Sequence, residues 1–163
     1  MTRAYIGLGS NLDDPEKQIH MALHALSALP GTTLLRDSSL YHAEPMGPQD
    51  QPDYINAVAV LDTDLPAHEL LYYLQDIEQC QGRVRAGERW GPRTLDLDLL
   101  VYGEERLSGS ELTVPHPGIA RRAFVLYPLS EVAPNLNIPG FGPLPELLKA
   151  CPSKGLRRLQ GDD

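Results

Sequence analysis

The stretch RWGPRTLDLDLLVYG (residues 89–103) joins an arginine-bearing polar segment to a run with the composition of a buried strand. Within that run, residues 95–102, the two exceptions to the apolar pattern are Asp96 and Asp98. Because side chains alternate between the faces of a strand, both aspartates point to one face, with Cα atoms about 7 Å apart. Two like charges on one face repel each other, and each loses hydration where it is covered. The pair therefore requires either a cation or full exposure to solvent.

The aspartate pair suits Mg²⁺, which takes one or two protein carboxylates and leaves its other positions to water and substrate phosphates. An Asp-x-Asp alone does not exclude the alternative, a solvated strand face. The neighbouring charges favour the metal, because residues 37–82 contain no Lys or Arg, and four arginines then follow within eleven residues. Carboxylates that hold a divalent cation beside arginines that hold phosphate oxygens are typical of phosphoryl transfer. The four arginines are Arg83, Arg85, Arg89 and Arg93, and Arg93 is the strongest candidate because it precedes Asp96 by three residues.

Other polar residues could join this site. His116 stands between two prolines, which fix the backbone and help to aim the side chain; a surface histidine is the alternative. Arg122 follows closely and could add positive charge. Gln75 and Glu78 are one helical turn apart, and from the residues alone a solvated helix face is the preferred interpretation. Trp90 is either a core anchor or part of a lid over a substrate.

A second group of residues could recognise a flat heterocycle. Tyr54 and Asn56 share a strand face, and a side-chain amide beside an aromatic ring combines hydrogen bonding with stacking. Phe124 could form the opposite wall. The alternative is that both rings are ordinary core residues.

Apolar periodicity and Pro/Gly punctuation divide the rest of the chain into strands, helices and loops. In chain order, the predicted elements are a strand at 4–8, a turn at 9–11, a helix at 14–29, strands at 32–41 and 54–61, a helix at 66–81 and a strand at 95–102. This order predicts an α+β fold of the ferredoxin-like type, a βαββαβ sandwich whose antiparallel sheet has both helices on one face. After residue 106 the chain carries much proline, which predicts an irregular C-terminal extension with short helices at 120–132 and 144–149.

Length and composition limit the class of protein. A chain of 163 residues with 42% hydrophobic and 22% charged residues predicts one globular domain spanning residues 1–163. Neither a membrane-spanning run nor a signal peptide is recognisable, so we expect a cytoplasmic protein that contacts no membrane. The net charge of -8 argues against nucleic-acid binding. Cys80 and Cys151 lack metal-ligand spacing, and we expect reduced thiols.

Three separated segments resemble the 6-hydroxymethyl-7,8-dihydropterin pyrophosphokinase family of folate biosynthesis. They are AYIGLGSN (residues 4–11), GPQDQPDYIN (residues 47–56) and RWGPRTLDLDLL (residues 89–100), and the residues 114–116 and Arg122 complete the pattern. The resemblance implies transfer of pyrophosphate from ATP to the pterin hydroxymethyl group, with AMP as the leaving group. It also implies two Mg²⁺ ions held by Asp96 and Asp98, and only small molecules, ATP and the pterin, as partners. We expect a monomer.

The resemblance also implies roles for individual residues. Arg83 and Arg93 would grip the transferring phosphates, while Arg85 and Trp90 would belong to a closing loop over ATP. The remaining residues fall into two groups: Gln75, Glu78, His116 and Arg122 on ATP, and Tyr54, Asn56 and Phe124 on the pterin, together with the backbone near Pro45 and Met46.

Two alternatives remain open at this point. The carboxylate pair could serve a metal-dependent phosphohydrolase or nucleotidyltransferase, which differ from a pyrophosphokinase in their products. A ferredoxin-like regulatory module could bind a nucleotide without turnover, although it gives no reason for the Arg89 to Asp98 cluster.

Overall fold

The computed structural model describes residues 1–11, 14–43, 53–81, 95–153 and 155–159. Within these ranges an antiparallel sheet lies between two layers of helices. The helices are α1 (Pro15–Ser27), α2 (Ala67–Cys80), α3 (Ala123–Val132) and α4 (Leu144–Lys149), with a 3-10 turn at Ile119–Arg121. The strands are β1 (Thr2–Ser10), β2 (Thr32–Asp37), β3 (Tyr41–Ala43), β4 (Tyr54–Thr63), β5 (Asp96–Tyr102), β6 (Leu107–Ser108), β7 (Thr113–Val114), β8 (Asn137–Ile138), β9 (Gly142–Pro143) and β10 (Leu156–Arg158).

Local sequence signals set the start of the first helix. The side chain of Asp14 caps α1 by accepting a hydrogen bond of 3.4 Å from the backbone N–H of Lys17. Pro15 occupies the first turn, where its missing N–H costs nothing. One face of the helix is apolar and buried, through Ile19, Ala22, Leu23 and Leu26. The helical periodicity of the sequence therefore predicted α1 correctly.

The main sheet has β1 at its centre. Its antiparallel order is β10-β3-β4-β1-β5, and β2 also pairs with β4. The single strand predicted at 32–41 is in fact two strands, β2 and β3. Ser38 causes the break, because its N–H donates to the Val58 carbonyl (2.8 Å) while its Oγ accepts from the Val58 N–H (2.9 Å).

The two faces of the sheet carry separate cores. Helices α1 and α2 pack on one face against residues such as Ile6, Ala57 and Leu99. Helices α3 and α4 pack on the other face, where Val58, Val60 and Val101 meet Leu126, Leu129 and Leu144. The short helices predicted at 120–132 and 144–149 are confirmed as α3 and α4, and together they give the extension a second helical layer.

The first strand is longer than its sequence predicts. We expected a turn at Gly9 and Ser10, but β1 continues through Ser10. The reason is that Gly9 pairs with Asn56 of β4 on one side and with Asp96 of β5 on the other. In the described part of the chain, no helix is both long enough and apolar enough to cross a membrane.

Candidate active site

The two aspartates of β5 stand beside glycines of the central strand. In the register of the sheet, Asp96 lies opposite Gly9 and Asp98 lies opposite Gly7. Paired residues of an antiparallel sheet share a face, so neither glycine adds a side chain of its own next to the carboxylates. The space over Gly7 is taken by the Leu100 side chain, and the space over Gly9 by Asn56 and Tyr54. Both aspartates are half-buried. The alternation of residues 95–99 therefore predicted their shared face correctly.

The described donor set at this point consists of two carboxylates, Asp96 and Asp98. All-oxygen sets with one or two carboxylates suit Mg²⁺, whereas zinc sites use three or four nitrogen or sulfur ligands or their equivalents. Both carboxylates are only half-buried, so water and phosphate oxygens can complete magnesium coordination on their exposed side. The residues present therefore fit a magnesium site shared with a polyphosphate.

Glu78 reaches the same strand from helix α2. Its Oε2 accepts a hydrogen bond of 2.7 Å from the backbone N–H of Leu97, the residue between the two aspartates. Strand β5 is at the edge of the sheet, so this bond satisfies an N–H on the side away from β1. Glu78 is 2% exposed, which corrects the interpretation of a solvated helix face. Gln75, one turn earlier, is half-buried on the same helix.

His116 is held by backbone contacts on both sides. The backbone N–H of His116 donates a hydrogen bond to the Leu100 carbonyl (2.8 Å), and the ring Nδ1 accepts one from the backbone N–H of Gly118 (3.0 Å). The β1–β5 pairing shifts by one residue here, since Ile6 pairs with Leu99 and Tyr5 with Val101. Such a bulge leaves Leu100 without a partner residue on β1, which explains why its carbonyl is available to His116.

The ring of His116 is neutral at physiological pH. Burial lowers its pKa to about 4, and the positive charge of Arg122 acts in the same direction, while Asp96 opposes the shift. Because Nδ1 accepts a hydrogen bond, the ring proton of the neutral form is on Nε2. His116 therefore offers a neutral N–H donor rather than a positive charge.

Arg122 and Phe124 form the entrance of helix α3. The Arg122 guanidinium carbon lies 5.8 Å from the centroid of the Phe124 ring, within cation–π range. On its other side the guanidinium approaches Gly118 so closely that a Cβ there would be 2.8 Å from Arg122 Nε. Gly118 is thus needed for the position that Arg122 adopts.

Asn56 presents an unused hydrogen-bond donor. It is 5% exposed, and within the described residues its buried Nδ2 has no hydrogen-bond partner. Buried polar groups nearly always have a partner, which makes this nitrogen a candidate donor to a ligand. A Cβ built on Gly9 would lie 2.8 Å from Asn56 Oδ1 and 3.7 Å from the Tyr54 ring. Gly9 therefore makes room for both side chains.

These residues form a row across the sheet. Asn56, Gly9 and Asp96 are directly paired neighbours on β4, β1 and β5. Since neighbouring strands are about 4.8 Å apart, roughly 10 Å separates the Cα atoms of Asn56 and Asp96. The amide of Asn56 and the carboxylate of Asp96 therefore stand on one face of the sheet, two strands apart.

The structure describes nine of the proposed site residues, of which Asn56 and Tyr54 lie beside Gly9 on β1, Asp96 and Asp98 lie on β5, and Glu78 and His116 bind the β5 backbone. Pro45, Met46, Arg83, Arg85, Trp90 and Arg93 fall outside the described residues. Sequence reasoning missed Gly7 and Gly9 as the positions that let the side chains of Leu100, Asn56 and Tyr54 pack over the central strand. Two glycines at positions i and i+2 of a strand are a usable signal, because glycine inside a strand marks a close approach.

Comparisons with known proteins find one family throughout. The family model described as 7,8-dihydro-6-hydroxymethylpterin-pyrophosphokinase (HPPK) matches residues 5–134. A Pseudomonas aeruginosa protein named 2-amino-4-hydroxy-6-hydroxymethyldihydropteridine pyrophosphokinase is 54% identical over 159 residues, covering 98% of both chains. A Haemophilus influenzae protein of the same name is 52% identical over 149 residues, covering 91% of this chain and 92% of that one.

A solved structure shares the fold. The wild-type HPPK-DHPS of Plasmodium falciparum with SDX-DHP superposes with a TM-score of 0.70 at 13% sequence identity. The alignment covers 97% of this chain and 47% of the Plasmodium chain, so this chain spans about half of that protein's length. Together with the family model, which matches most of the 163 residues, these similarities identify the chain as a member of the 7,8-dihydro-6-hydroxymethylpterin-pyrophosphokinase family.

Proposed function

We propose that this chain transfers pyrophosphate from ATP to 6-hydroxymethyl-7,8-dihydropterin and releases AMP, a step of folate biosynthesis. The pterin hydroxyl oxygen attacks the β-phosphorus, the bond from that phosphorus to the bridging oxygen of the α-phosphate breaks, and the hydroxyl proton is lost. The observation that carries the proposal is the row of Asn56, Gly9 and Asp96, which puts a heterocycle donor and a carboxylate pair on one sheet face.

The pterin occupies the β4 side of this face. The buried Nδ2 of Asn56 donates to an acceptor on the pterin edge, which gives this amide the partner it otherwise lacks. The rings of Tyr54 and Phe124 stack on the two faces of the heterocycle. Backbone groups near Pro45 and Met46 supply the remaining hydrogen bonds.

The polyphosphate occupies the β5 side. Asp96 and Asp98 hold two Mg²⁺ ions, which neutralise the charge of the phosphate oxygens when bound. Arg83 and Arg93 grip the transferring group, and Arg85 and Trp90 close over the nucleotide. Positioning and charge neutralisation supply most of the rate enhancement, because the attack of a primary alcohol on a phosphate requires no covalent intermediate with the protein.

The nucleotide contacts come from residues around β5 and the entrance of α3. The Nε2–H group of His116 donates a hydrogen bond to an oxygen or nitrogen of the nucleotide. Arg122 adds charge-assisted hydrogen bonds. Gln75 and Glu78 complete this side. Glu78 acts at least in part through Leu97, whose N–H it binds.

The finer classification of the fold is also a proposal. The strand order β5-β1-β4 followed by β2 and β3, with α1 and α2 on one face, supports a ferredoxin-like βαββαβ unit. We extend this to a single domain over residues 1–163 that acts as a cytoplasmic monomer. The net charge of -8 supports the absence of nucleic acid among its partners.

Other functions predict different products. A phosphohydrolase would release free phosphate, and a nucleotidyltransferase would release pyrophosphate and attach the nucleotide to its acceptor. The regulatory module without turnover is not supported, because relatives matching 91–98% of this chain are named as pyrophosphokinases.

Product analysis tests the proposal directly. The purified chain is incubated with Mg²⁺, ATP and 6-hydroxymethyl-7,8-dihydropterin, with omission of the pterin as the control. We expect AMP and pyrophosphorylated pterin in equal amounts, and neither product without the pterin. Free phosphate, or binding of ATP without any product, would contradict the proposed function.

A further inference from the structure

Glu131, in the last turn of α3, ties this helix to the edge of the sheet. Its Oε2 accepts hydrogen bonds from the backbone N–H (2.9 Å) and the Oγ (3.0 Å) of Ser39. Its Oε1 accepts a hydrogen bond of 2.8 Å from the hydroxyl of Tyr41. These partners are 90 and 92 residues away in sequence, so the carboxylate joins two distant segments.

Tyr41, the partner of Glu131 on the sheet, lies next to the proposed pterin pocket. Tyr41 pairs with Asn56 in the β3–β4 register, so both side chains share the face that carries the site. Both residues are buried, and Asn56 lies between Tyr41 on one side and Gly9 on the other. Burial, together with the hydrogen bond to Glu131, raises the pKa of Tyr41 to about 12. The phenol is therefore a stable donor at neutral pH.

Helix α3, which Glu131 connects to the sheet, also carries Phe124 near its start. Glu131 follows Phe124 by seven residues, which is close to two helical turns, so both project from one side of α3, about 10 Å apart along its axis. Pro128 between them removes one backbone hydrogen bond of the helix, so side-chain contacts supply more of the restraint on α3. A shift of Glu131 relative to the sheet would thus carry Phe124 with it.

The C-terminal strand reinforces the same junction. Arg158 of β10 pairs with Tyr41, and its guanidinium Nη2 lies 3.9 Å from Glu131 Oε2. The carboxylate thus has a positive charge beside it as well as its three hydrogen-bond donors. This contact gives the end of the chain a structural connection to the site.

We infer that Glu131 is a positioning residue for the pterin: by fastening α3 to Ser39 and Tyr41, it sets the spacing between Phe124 and Asn56. This inference rests on the proposed function, and Glu131 itself touches no substrate. A residue with this role should affect pterin binding more than ATP binding, because Phe124 lies within α3, whereas the nucleotide side is built mainly on β5 and α2 and takes from α3 only Arg122, at its N-cap.

The test compares two isosteric variants, Tyr41→Phe and Glu131→Gln, in steady-state kinetics with each substrate varied in turn. The matched control is Tyr72→Phe, since the Tyr72 hydroxyl donates to Glu111 Oε2 at the same 2.8 Å on an exposed surface. We expect the KM for the pterin to rise about fivefold or more in both site variants, with the KM for ATP within about twofold of wild type. The control should match wild type. The KM for the pterin in the double variant should be no higher than in the more strongly affected single variant, because both changes break one hydrogen-bond network.

Two outcomes would overturn the inference. An unchanged pterin KM in Tyr41→Phe, with wild type turning over normally, would show that the tie does not shape the pocket. Equal increases in the KM of both substrates would indicate a general structural role. If Glu131→Gln fails to fold, Tyr41→Phe decides the question, because it removes only one hydroxyl. Absence of AMP formation by wild type would instead reject the proposed function.

Discussion

The carboxylate of Glu78 holds the backbone N–H of Leu97 at 2.7 Å, at the midpoint between the two aspartates of the site. Glu78 is on α2, which packs on one face of the sheet, whereas Asp96 and Asp98 project from the other. The bond therefore lies at the edge of β5 that pairs with no other strand in the described ranges. It fixes the backbone from which both carboxylates project.

Removal of this bond should destabilise the protein. In Glu78→Ala the buried N–H of Leu97 loses its acceptor, and we expect the free energy of unfolding to fall by about 2 kcal/mol. Urea denaturation measures this change. Glu146→Ala is the matched control, because Glu146 is exposed on α4 and should change stability by less than about 0.5 kcal/mol. A Glu78→Ala protein as stable as the control would contradict the edge role.

Neutralising either aspartate should abolish most turnover without unfolding the chain. We expect Asp96→Asn and Asp98→Asn to lower kcat by about 100-fold or more, because each removes a charge that holds the metal. Their thermal stability should equal or slightly exceed that of wild type, since two like charges no longer repel. Asp76→Asn, on an exposed position of α2, provides the control. Activity within a few-fold of wild type would remove that aspartate from the mechanism.

A single methyl group on the central strand should damage the pterin pocket. The Cβ of Gly9→Ala would lie 2.8 Å from Asn56 Oδ1, so the amide must move. Losing its hydrogen bond to the pterin should weaken pterin affinity about tenfold, which titration calorimetry measures. Gly109→Ala is the control, because the contact there is an ordinary 3.4 Å. Equal pterin affinity in both variants would contradict the assignment of Asn56.

The low pKa of His116 gives a defined pH dependence. The folded ring binds a proton only near pH 4, whereas the unfolded ring does so near its ordinary value of 6.5. Between these values the unfolded state binds more protons, so His116 makes stability fall as pH drops from about 6.5 to about 4. Unfolding curves of wild type and His116→Gln across this range measure the effect. A steeper loss of stability in His116→Gln than in wild type would contradict it.

The sequence predicted the parts of the site that depend on strand alternation. Asp96 with Asp98, and Tyr54 with Asn56, share faces because the period of a strand is two, and no tertiary information is needed for that inference. The burial of Glu78 was not predictable in the same way. It depends on an unpaired N–H at a sheet edge, which becomes visible only when the strand order is known.

Two features of the fold escaped prediction for physical reasons. The break between β2 and β3 involves no proline or glycine, because the Ser38 side chain replaces a backbone partner of Val58. Helices α3 and α4 were predicted, as short helices at 120–132 and 144–149, but the layer that they form was not, because the apolar residues of α3 surround it too broadly to show which side packs on the sheet. Its role in covering the site face of the sheet follows from packing against Val58 and Val60.

The most direct test of the account is a crystal structure of the chain with Mg²⁺, a non-hydrolysable ATP analogue and 6-hydroxymethyl-7,8-dihydropterin. We predict magnesium density in contact with Asp96 and Asp98, and a pterin whose edge accepts a hydrogen bond from Asn56 Nδ2. Polyphosphate and pterin bound away from this sheet face, with both carboxylates solvated, would contradict it.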